Sequence, residues 1–333
     1  AYRRQRQMCI RDSVNGMPYG VDVLIPNKFE GKGEGLNPED WANMIPQEYR
    51  DFRADVLNKY KLNGESLREQ TTQKSGFGKN LGEDGAQKLL DIAFSHPIKL
   101  IANALGVPPK WMLEMGKKNN VPVAALVGAK EHAIRQVQAG VDLLVVSGTE
   151  GGGHVGNVSG LVLVPEIHKA IQPISDIPIL AAGGIATGHQ MAGVMAMGAS
   201  GVWCASVFLP TSEAETSPTV KEKMINATSS QTVRSRSRTG KHSRQLRSGW
   251  TDAWESKDAP EPLPMPLQTM VGEPALDIID KAAENGHQGA KELATYWVGQ
   301  GIGLVDETIS AGQTVQKFKE EFLDALDRMQ SLI

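Results

Sequence analysis

The sequence predicts an α/β fold in which short parallel strands alternate with helices. Six aliphatic or β-branched runs end in glycine or polar residues, and most are followed by a stretch with helical spacing of apolar side chains. Near-continuous apolar runs of this length are typical of parallel strands that are buried on both faces. Their alternation with helical patterns predicts strand–helix units around one parallel sheet.

The six predicted strands follow one another along the first two thirds of the chain. They are "YGVDVLIP" near Val21, "IKLIANALG" near Ile101, "VPVAALVG" near Ala124, "VDLLVVSG" near Leu144, "IPILAAGG" near Leu180 and "SGVWCASVF" near Trp203. Six strands fit an open doubly wound sheet, and they also fit a closed (β/α)8 barrel that lacks two of its strands. The count leaves both architectures open.

Two of the intervening stretches have helical patterns with clear ends. "AKEHAIRQVQAG" places Ala133, Ile134 and Val137 on one face and ends at Gly140, and "GHQMAGVMAMG" ends in the same way at Gly198. Glycine just after the last apolar position is a common helix stop. Both stretches are therefore predicted to be helices that connect successive strands.

The pattern changes after the last predicted strand. "SPTVKEKMINA" predicts a helix with Ser217 as N-cap and Pro218 in its first turn. The segments "SRSRTGKHSRQLR" and "SKDAPEPLPMPLQ" are predicted to be loops, because they are rich in charge and proline. Apolar residues at helical spacing from Val315 to Met329 predict a final amphipathic helix. We therefore expect residues 211–333 to form a helical and loop extension that packs on the sheet domain of residues 14–210.

The first thirteen residues differ from the rest of the chain. "AYRRQRQMCIRDS" is basic, lacks periodicity and resembles translated sequencing-adapter read-through at the end of a gene fragment. We expect Ala1–Ser13 to be a non-native tail, the alternative being a genuine basic tail. On the first interpretation the native N-terminus is missing and Cys9 is not a native residue.

Composition excludes several classes of protein. The net charge of −3 gives no overall attraction to nucleic acid or anionic membranes, and the apolar runs are too short to span a bilayer. Two distant cysteines argue against a disulfide framework, and no histidine, cysteine and carboxylate cluster has metal-ligand spacing. We expect a cytoplasmic protein with no metal, membrane or nucleic-acid partner. The arginines and lysine between Arg234 and Arg247 predict a solvated or phosphate-facing loop, which an anionic cosubstrate such as NAD(P)H would also suit.

The loop "SGTEGGGHVG" is the strongest candidate for chemistry. Three successive glycines, Gly151–Gly153, let backbone approach a flat ring closely, and His154 can exchange protons near neutral pH. Glu150 is a second titratable group whose direction the sequence leaves open. Taken alone, His154 is better interpreted as a loop histidine bonded to a carbonyl group, and the neighbouring glycine-rich strand ends favour the chemical role.

Two further strand ends suit a phosphate group. In "LAAGGIATG", Gly183 and Gly184 lie between a strand and the start of a helix, where backbone N–H groups bind anions. The next strand ends in "VWCASVF", with small side chains and the hydroxyl of Ser206. Paired loops after the last two strands of a (β/α)8 barrel often form a phosphate site. A plain strand–helix turn is the alternative.

The motifs together resemble one family. "SGTEGGGHVG", "LAAGGIATGHQMAGVMAMGASGVW", "PLPMPLQ" and "VGQGIGLV", in this order and from about Met17 onward, resemble the nitronate monooxygenases, formerly called 2-nitropropane dioxygenases. The resemblance implies an FMN-dependent (β/α)8 TIM barrel that lacks its first two strands, so that residues 14–210 hold strands three to eight. It implies oxidation of alkyl nitronates by O₂ to a carbonyl compound and nitrite, with a homodimer as one possible assembly.

The resemblance also assigns roles to individual residues. His154 matches the base that acts on a neutral nitroalkane and helps to hold the anionic substrate. The implied FMN contacts are Asp22, Ser147, Gly152, Gly183, Gly184, Trp203, Cys204, Ala205 and Ser206. Many members have glutamine where this chain has Ser147 and asparagine where it has Asp22, whose carboxylate would repel an anionic substrate or bond to backbone instead. The alternatives are an NAD(P)H-dependent flavin reductase of enoyl thioesters or quinones, and a non-catalytic phosphate-ligand or nucleic-acid-binding protein.

Overall fold

The main sheet consists of the six predicted strands. The computed structural model describes residues 16–25, 38–68 and 83–332, so the predicted tail Ala1–Ser13 lies outside the described residues. The strands are β1 (Gly20–Val23), β2 (Leu100–Asn103), β3 (Val123–Val127), β4 (Leu143–Ser147), β6 (Ile179–Ala182) and β7 (Gly201–Trp203), all parallel and paired in this order. The predicted parallel sheet is confirmed.

Helices connect the strands and build the extension. Those between β1 and β7 are α1 (Pro38–Asn43), α2 (Gln47–Lys59), α3 (Glu65–Arg68), α4 (Glu83–Phe94), α5 (Lys110–Asn119), α6 (Lys130–Ala139), α7 (Gly160–Ile171) and α8 (Gly188–Ala196). After β7 come α9 (Pro218–Ile225), α10 (Gly249–Trp254), α11 (Leu267–Glu284), α12 (Gln288–Leu293) and α13 (Ala311–Gln330). Short 3₁₀ turns cover Ser206–Phe208, Ser229–Gln231 and Gln300–Leu304.

The two faces of the sheet have different surroundings. One face packs against helices, as shown by the cluster in which Leu144 and Val146 of β4 join Leu163 and Ile167 of α7. On the other, which we call the inner face, a smaller apolar cluster contains strand residues alone. Its fully buried members are Ala102, Ala124, Val145 and Ala182. In a (β/α) barrel, helices cover the outer face of the strands, and side chains from the inner face pack against one another. The two faces of this sheet have that arrangement.

The extension shares a second core with helices from the first half of the chain. Trp250 of α10 and Leu276 of α11 lie in one buried cluster with Trp41 of α1 and Leu57 of α2. This core therefore takes residues from both sides of position 210, and the predicted division of the chain at that position stays a prediction. The final helix α13 packs on α8, where the Glu321 carboxylate accepts the Gly188 N–H at 2.7 Å.

One predicted loop is wrong. The segment "SRSRTGKHSRQLR" belongs to a hairpin of β8 (Thr232–Ser235) and β9 (Ser243–Leu246), and β9 also pairs with a short strand β5 (Gly153–His154). Most residues that this hairpin buries are polar: Ser235, Ser237, Ser243 and Gln245 are fully buried, and Leu246 is an apolar exception. Because polar side chains occupy these buried positions, the alternation of apolar and polar residues that marks a strand is absent from the sequence.

Other expectations for the later part of the chain agree with the structure. Helix α9 begins after Ser217, whose hydroxyl accepts the Val220 N–H at 3.4 Å, and Pro218 is in its first turn. The segment before α11 is a loop up to Pro266, and α13 is the predicted amphipathic helix. Across the described ranges, no helix combines the length and apolar content needed to cross a bilayer.

Candidate active site

A cavity of about 660 Å³ opens at the carboxyl ends of the central strands. Its walls come from Ala104–Val107 after β2, from Leu126–Gly128 at the end of β3, and from the loop after β4. Ser147, Gly152 and His154 all line it, so the structure brings three of the predicted site residues together. Its volume lies within the ~300–1,000 Å³ that is typical of ligand pockets.

The loop after β4 is fixed by its own acidic residue. The Glu150 carboxylate accepts the backbone N–H of Gly160 at 3.0 Å, at the first turn of α7. A carboxylate there is favoured by the helix dipole. The Glu150 carbonyl accepts the Gln300 N–H at 2.8 Å. Glu150 therefore holds the loop in place and takes no part in lining the cavity, which answers the question that the sequence left open.

Gly183 and Gly184 support the same loop from behind. Both have positive φ, +96° and +71°, which disfavours any residue with a side chain. A Cβ on Gly183 would lie 2.8 Å from the Gly148 carbonyl oxygen, and one on Gly184 would lie 2.7 Å from the Glu150 Cβ. The two glycines are thus needed for the close packing of the β6 end against the β4 loop.

The predicted phosphate residues lie beside the cavity and are absent from its lining. Gly183 and Gly184 follow β6, and Trp203 to Ser206 end β7, the next strand of the sheet. The Ser206 hydroxyl accepts the Gly299 N–H at 2.8 Å, and Ala205 is exposed. Burial raises the pKa of the Cys204 thiol to about 11, so this side chain is protonated at neutral pH and a poor nucleophile. The roles of these residues toward FMN stay predictions.

His154 lies where the β4 loop meets the hairpin. It pairs with Ser243 across the β5–β9 ladder, and its Nε2 is 2.8 Å from the Thr239 Oγ1. Burial, together with the positive charge of Lys241, lowers the pKa of His154 to about 4. The imidazole is therefore neutral at pH 7 and able to accept a proton. Charge attraction to an anionic substrate has to come from other residues.

A set of aromatic and charged side chains stands behind His154. The Trp297 ring centroid is 6.4 Å from that of His154, and the Trp297 indole N–H donates to the Ser243 hydroxyl at 3.4 Å. The guanidinium of Arg238 lies over the Trp297 ring at 4.3 Å and pairs with the Glu273 carboxylate at 3.1 Å. These contacts fix the hairpin tip that carries Thr239.

The cavity wall that the helix α6 and the hairpin contribute is cationic. Arg135, Arg234 and Lys241 line it, together with His132 and His242, and among the described residues no aspartate or glutamate does. Within the part of the chain that the structure describes, none of these three cations forms an ion pair. Arg244 instead ties the hairpin to the β4 loop, since its Nε donates to the Thr149 carbonyl at 3.0 Å.

Asp22 lies apart from the cavity lining, on the edge strand β1. It stands opposite Ala102 in the parallel register, on the inner face of the sheet. The side chain is exposed at the sheet edge, and partial desolvation by neighbouring atoms raises the pKa of its carboxyl group to about 6, with a smaller opposing effect from a hydrogen bond to the backbone of Val23. Both interpretations of Asp22 from the sequence, flavin neighbour and backbone-bonded carboxylate, stay open predictions.

Thr239 is the site residue that sequence reasoning missed, whereas Arg238 entered it only as a member of the basic segment. Thr239 is 85 residues from His154 in the chain, and no local pattern relates the two. The signal that exists is the run of serines and arginines in "SRSRTGKHSRQLR", which is unusual for a solvated loop but becomes interpretable only once its burial is known. Among the described residues, no group of three or more histidine, cysteine or carboxylate side chains is placed to hold a metal ion.

Comparison with known proteins identifies the family. The sequence profile named nitronate monooxygenase matches residues 18–321. The chain belongs to the nitronate monooxygenase family. It is therefore an oxidoreductase, and a flavin is the implied cofactor. The match covers nearly the range over which the motifs resembled this family.

Individual relatives agree with this assignment. A Mycobacterium tuberculosis protein named as a candidate monooxygenase, Rv1533, is 47% identical over 326 residues, which cover 97% of this chain and 85% of the relative. A probable nitronate monooxygenase of Bacillus subtilis is 26% identical over 91% of this chain and 80% of its own length. The nitroalkane oxidase of Streptomyces ansochromogenes superposes with a TM-score of 0.76 at 22% identity, over 98% of this chain and 86% of that one. The last comparison confirms the predicted barrel-type α/β fold.

The cavity fits a flavin. Much of its wall is bare backbone, because Gly128, Gly152 and Gly156 line it and a Cβ on Gly156 would lie 2.5 Å from the Gly128 carbonyl oxygen. Such a wall lets a planar ring lie close to the main chain. The buried Nε of Arg234 has no hydrogen-bond partner, which leaves a donor for an anionic group.

Proposed function

We propose that this nitronate monooxygenase family member uses FMN and O₂ to oxidise alkyl nitronates to a carbonyl compound and nitrite. The observation that carries the proposal is His154, a neutral and half-buried imidazole that lines the cavity at the strand ends. The names of two relatives support the substrate class: one is a nitroalkane oxidase and the other a probable nitronate monooxygenase.

His154 would act on the neutral form of the substrate. A nitroalkane becomes a nitronate when a base removes the proton from the carbon that bears the nitro group. An imidazole with a pKa of about 4 is neutral at pH 7, so one ring nitrogen is available to accept that proton. The same lowering of the pKa makes His154 a weaker base than a free imidazole. The hydrogen bond to Thr239 would fix the ring orientation and settle which nitrogen faces the cavity.

The remaining residues would bind the flavin and the substrate. Ser147 and Gly152 would contact the ring, and Gly183, Gly184 and Trp203 to Ser206 would hold the phosphate of FMN. When bound, FMN supplies the electron transfer between the substrate and O₂. The cations of the cavity wall would raise the local concentration of an anionic nitronate, which a neutral His154 does not attract by charge.

The proposal is tested with ethyl nitronate and with NADH. In air, the FMN-loaded protein is expected to release nitrite from ethyl nitronate. Without oxygen, ethyl nitronate is expected to bleach the flavin absorbance faster than NADH does. Rapid bleaching by NADH with no response to ethyl nitronate would overturn the proposal and favour the flavin reductase. A purified protein that takes up no flavin would favour the non-catalytic alternative.

A further inference from the structure

We infer that Lys223 is a positioning residue for the active site, because it anchors the segment that holds Trp297 behind His154. The inference rests on the proposed function, since it concerns the base of that reaction. Lys223 lies in helix α9, outside the cavity lining, and acts on His154 only through residues 294–300, which we call the linking segment.

The first observation is the way in which helix α12 ends. Ala294 follows the last helical residue with φ −57° and ψ 130°, so the chain passes directly into extended backbone without a glycine stop. A helix that ends in this way leaves carbonyl groups of its last turn without partners in the helix. The Lys223 Nζ donates to the carbonyl oxygens of Lys291 at 2.9 Å, Glu292 at 3.4 Å and Ala294 at 2.6 Å. All three donors of the ammonium group thus hold the point where the linking segment begins.

The second observation is the path of the linking segment beside β9. The Thr295 hydroxyl donates to the Leu246 carbonyl at 2.6 Å, and Trp297 pairs with Gln245 in an antiparallel bridge. Trp297 is three residues after Ala294, a span of about 10 Å at most. The lysine anchor is therefore close, along the backbone, to the ring that lies behind the base.

The third observation is the far end of the linking segment, which is fixed on the β4 loop. The Gln300 N–H donates to the Glu150 carbonyl at 2.8 Å. A Cβ on Gly152 would lie 2.8 Å from the Gly299 nitrogen, so the two backbones are in close contact. A displacement of the linking segment would therefore reach the predicted flavin contact Gly152 as well as the base.

The surroundings of Lys223 make the anchor dependent on its proton. Burial lowers the pKa of the Lys223 amine to about 8, and the negative charge of Glu292 opposes this effect. The charged groups that line the groove around Lys223 come from α9, from the end of β9 and from α12, and they are Glu222, Arg247, Lys291 and Glu292. Above pH 8 a neutral amine has two N–H groups for three carbonyl groups, so at least one contact of the anchor is lost.

The kinetic test compares Lys223→Met with Lys221→Met. Lys221 is the matched control, because it lies in the same helix and its Nζ donates to the Thr211 carbonyl at 2.6 Å, outside the linking segment. In the FMN-loaded protein, Lys223→Met is expected to lower kcat for nitroethane about fivefold with little change in KM, because the base is displaced while the cavity wall remains. Lys221→Met is expected to keep the kcat of the parent. Lys223→Arg, which keeps the charge and the donors, is expected to restore most of the activity.

A second readout is independent of activity. Nuclear magnetic resonance of labelled histidine is expected to show that Lys223→Met raises the pKa of His154 towards its ordinary value, because a looser linking segment admits water to the ring. A folded Lys223→Met variant with the His154 titration of the parent would overturn the inference, whatever its stability. Equal effects of Lys221→Met would also overturn it. Nitrite release does not enter this readout, so the inference and the proposed function can fail separately.

A measurement on the parent and Lys223→Arg keeps the inference testable if Lys223→Met does not fold. The indole N–H signal of Trp297, assigned with Trp297→Phe, is expected to shift in the parent with a midpoint near pH 8. In Lys223→Arg the signal is expected to stay constant over the same range, because arginine keeps its charge. A Trp297 signal that does not respond in the parent, or that responds equally in Lys223→Arg, would show that Lys223 does not position this segment.

Discussion

The two walls of the cavity are built in different ways. The wall from the β4 loop, Ser147 to His154, is one continuous stretch of sequence, carries its glycines in a row and lines the cavity without a charged group. The wall from the hairpin is joined to it only by folding, buries serines and threonines, and carries Arg234 and Lys241. The residues that give the first wall its chemistry can be predicted from the sequence. Those of the second wall cannot, because their positions depend on which side chains are buried and how the strands pair.

His154 lies where the two walls meet, and its protonation depends on both. The β4 loop supplies the imidazole, while the hairpin supplies Thr239 as its hydrogen-bond partner and Lys241 as a nearby positive charge. The protonation of a base in the segment after a parallel strand thus depends on residues that lie almost ninety positions later. The following predictions alter one wall at a time.

The largest expected effect comes from removing the imidazole. His154→Gln is expected to lower kcat/KM for neutral nitroethane by about a hundredfold or more, the usual contribution of a general base. The effect on preformed ethyl nitronate is expected to be much smaller, because that substrate has already lost its proton. Steady-state kinetics on both substrates at equal FMN content checks this. An equal loss on both would contradict the role of His154 as a base.

The second-largest expected effect is a loss of stability when a glycine that packs against the first wall is replaced. Gly183→Ala combines a positive φ with a contact at 2.8 Å to the Gly148 carbonyl, and is expected to lower the free energy of unfolding by about 2 kcal/mol. The matched control is Gly193→Ala in α8, where an added Cβ has open space and alanine favours the helix. Urea unfolding of both variants is the measurement. A Gly183→Ala variant as stable as the control would show that the loops do not pack as described.

The hairpin contact to the base is expected to have a smaller effect. Thr239→Val keeps the shape of the side chain but removes the hydroxyl next to His154 Nε2, and is expected to lower kcat/KM for nitroethane about tenfold. Thr239→Ser keeps the hydroxyl and is expected to restore most of that activity. If the serine variant were as impaired as the valine variant, packing of the methyl group and not the hydrogen bond would explain the loss.

The smallest expected effect concerns the support behind the hairpin. Arg238→Gln removes the guanidinium from the Trp297 ring and from Glu273, and is expected to lower the free energy of unfolding by about 1 kcal/mol. Arg247→Gln, which breaks an exposed pair with Asp252, is expected to cost less than half as much. Thermal unfolding of the two variants compares them directly, and equal shifts would argue against a role for the Arg238 cluster in fixing the hairpin tip.

The sequence predicted the strands and missed the hairpin for one physical reason. Strands β2, β3, β4 and β6 bury aliphatic side chains, and β1 and β7 partly bury theirs, so this burial is visible as apolar runs. Strands β8 and β9 bury Ser235, Ser243 and Gln245, where the Ser243 hydroxyl and the Gln245 amide N–H donate hydrogen bonds within the hairpin. Hydrophobic periodicity identifies strands that bury apolar side chains and does not identify strands that bury polar ones.

The candidate site also contains residues that the sequence predicts and residues that it does not. His154, Ser147 and Gly152 could be predicted because glycines and a histidine after a buried strand form a recognisable motif in one stretch. The role of Thr239 could not, since it arises from a register in which His154 pairs with Ser243. The basic segment was expected to face solvent or a phosphate, but its position beside His154 was not predicted. The lowered pKa of His154 could not be predicted from the sequence either, because burial is the main cause of the shift.

The most direct test of this account is the titration of His154 itself. Nuclear magnetic resonance of the FMN-loaded protein with labelled histidine, assigned by comparison with His154→Gln, reports the protonation of this ring against pH. The account predicts an imidazole that is neutral at pH 7 and gains its proton only near pH 4. An imidazole that titrates at its ordinary pKa of about 6.5 or above would contradict the claim that the two walls together lower the pKa of His154.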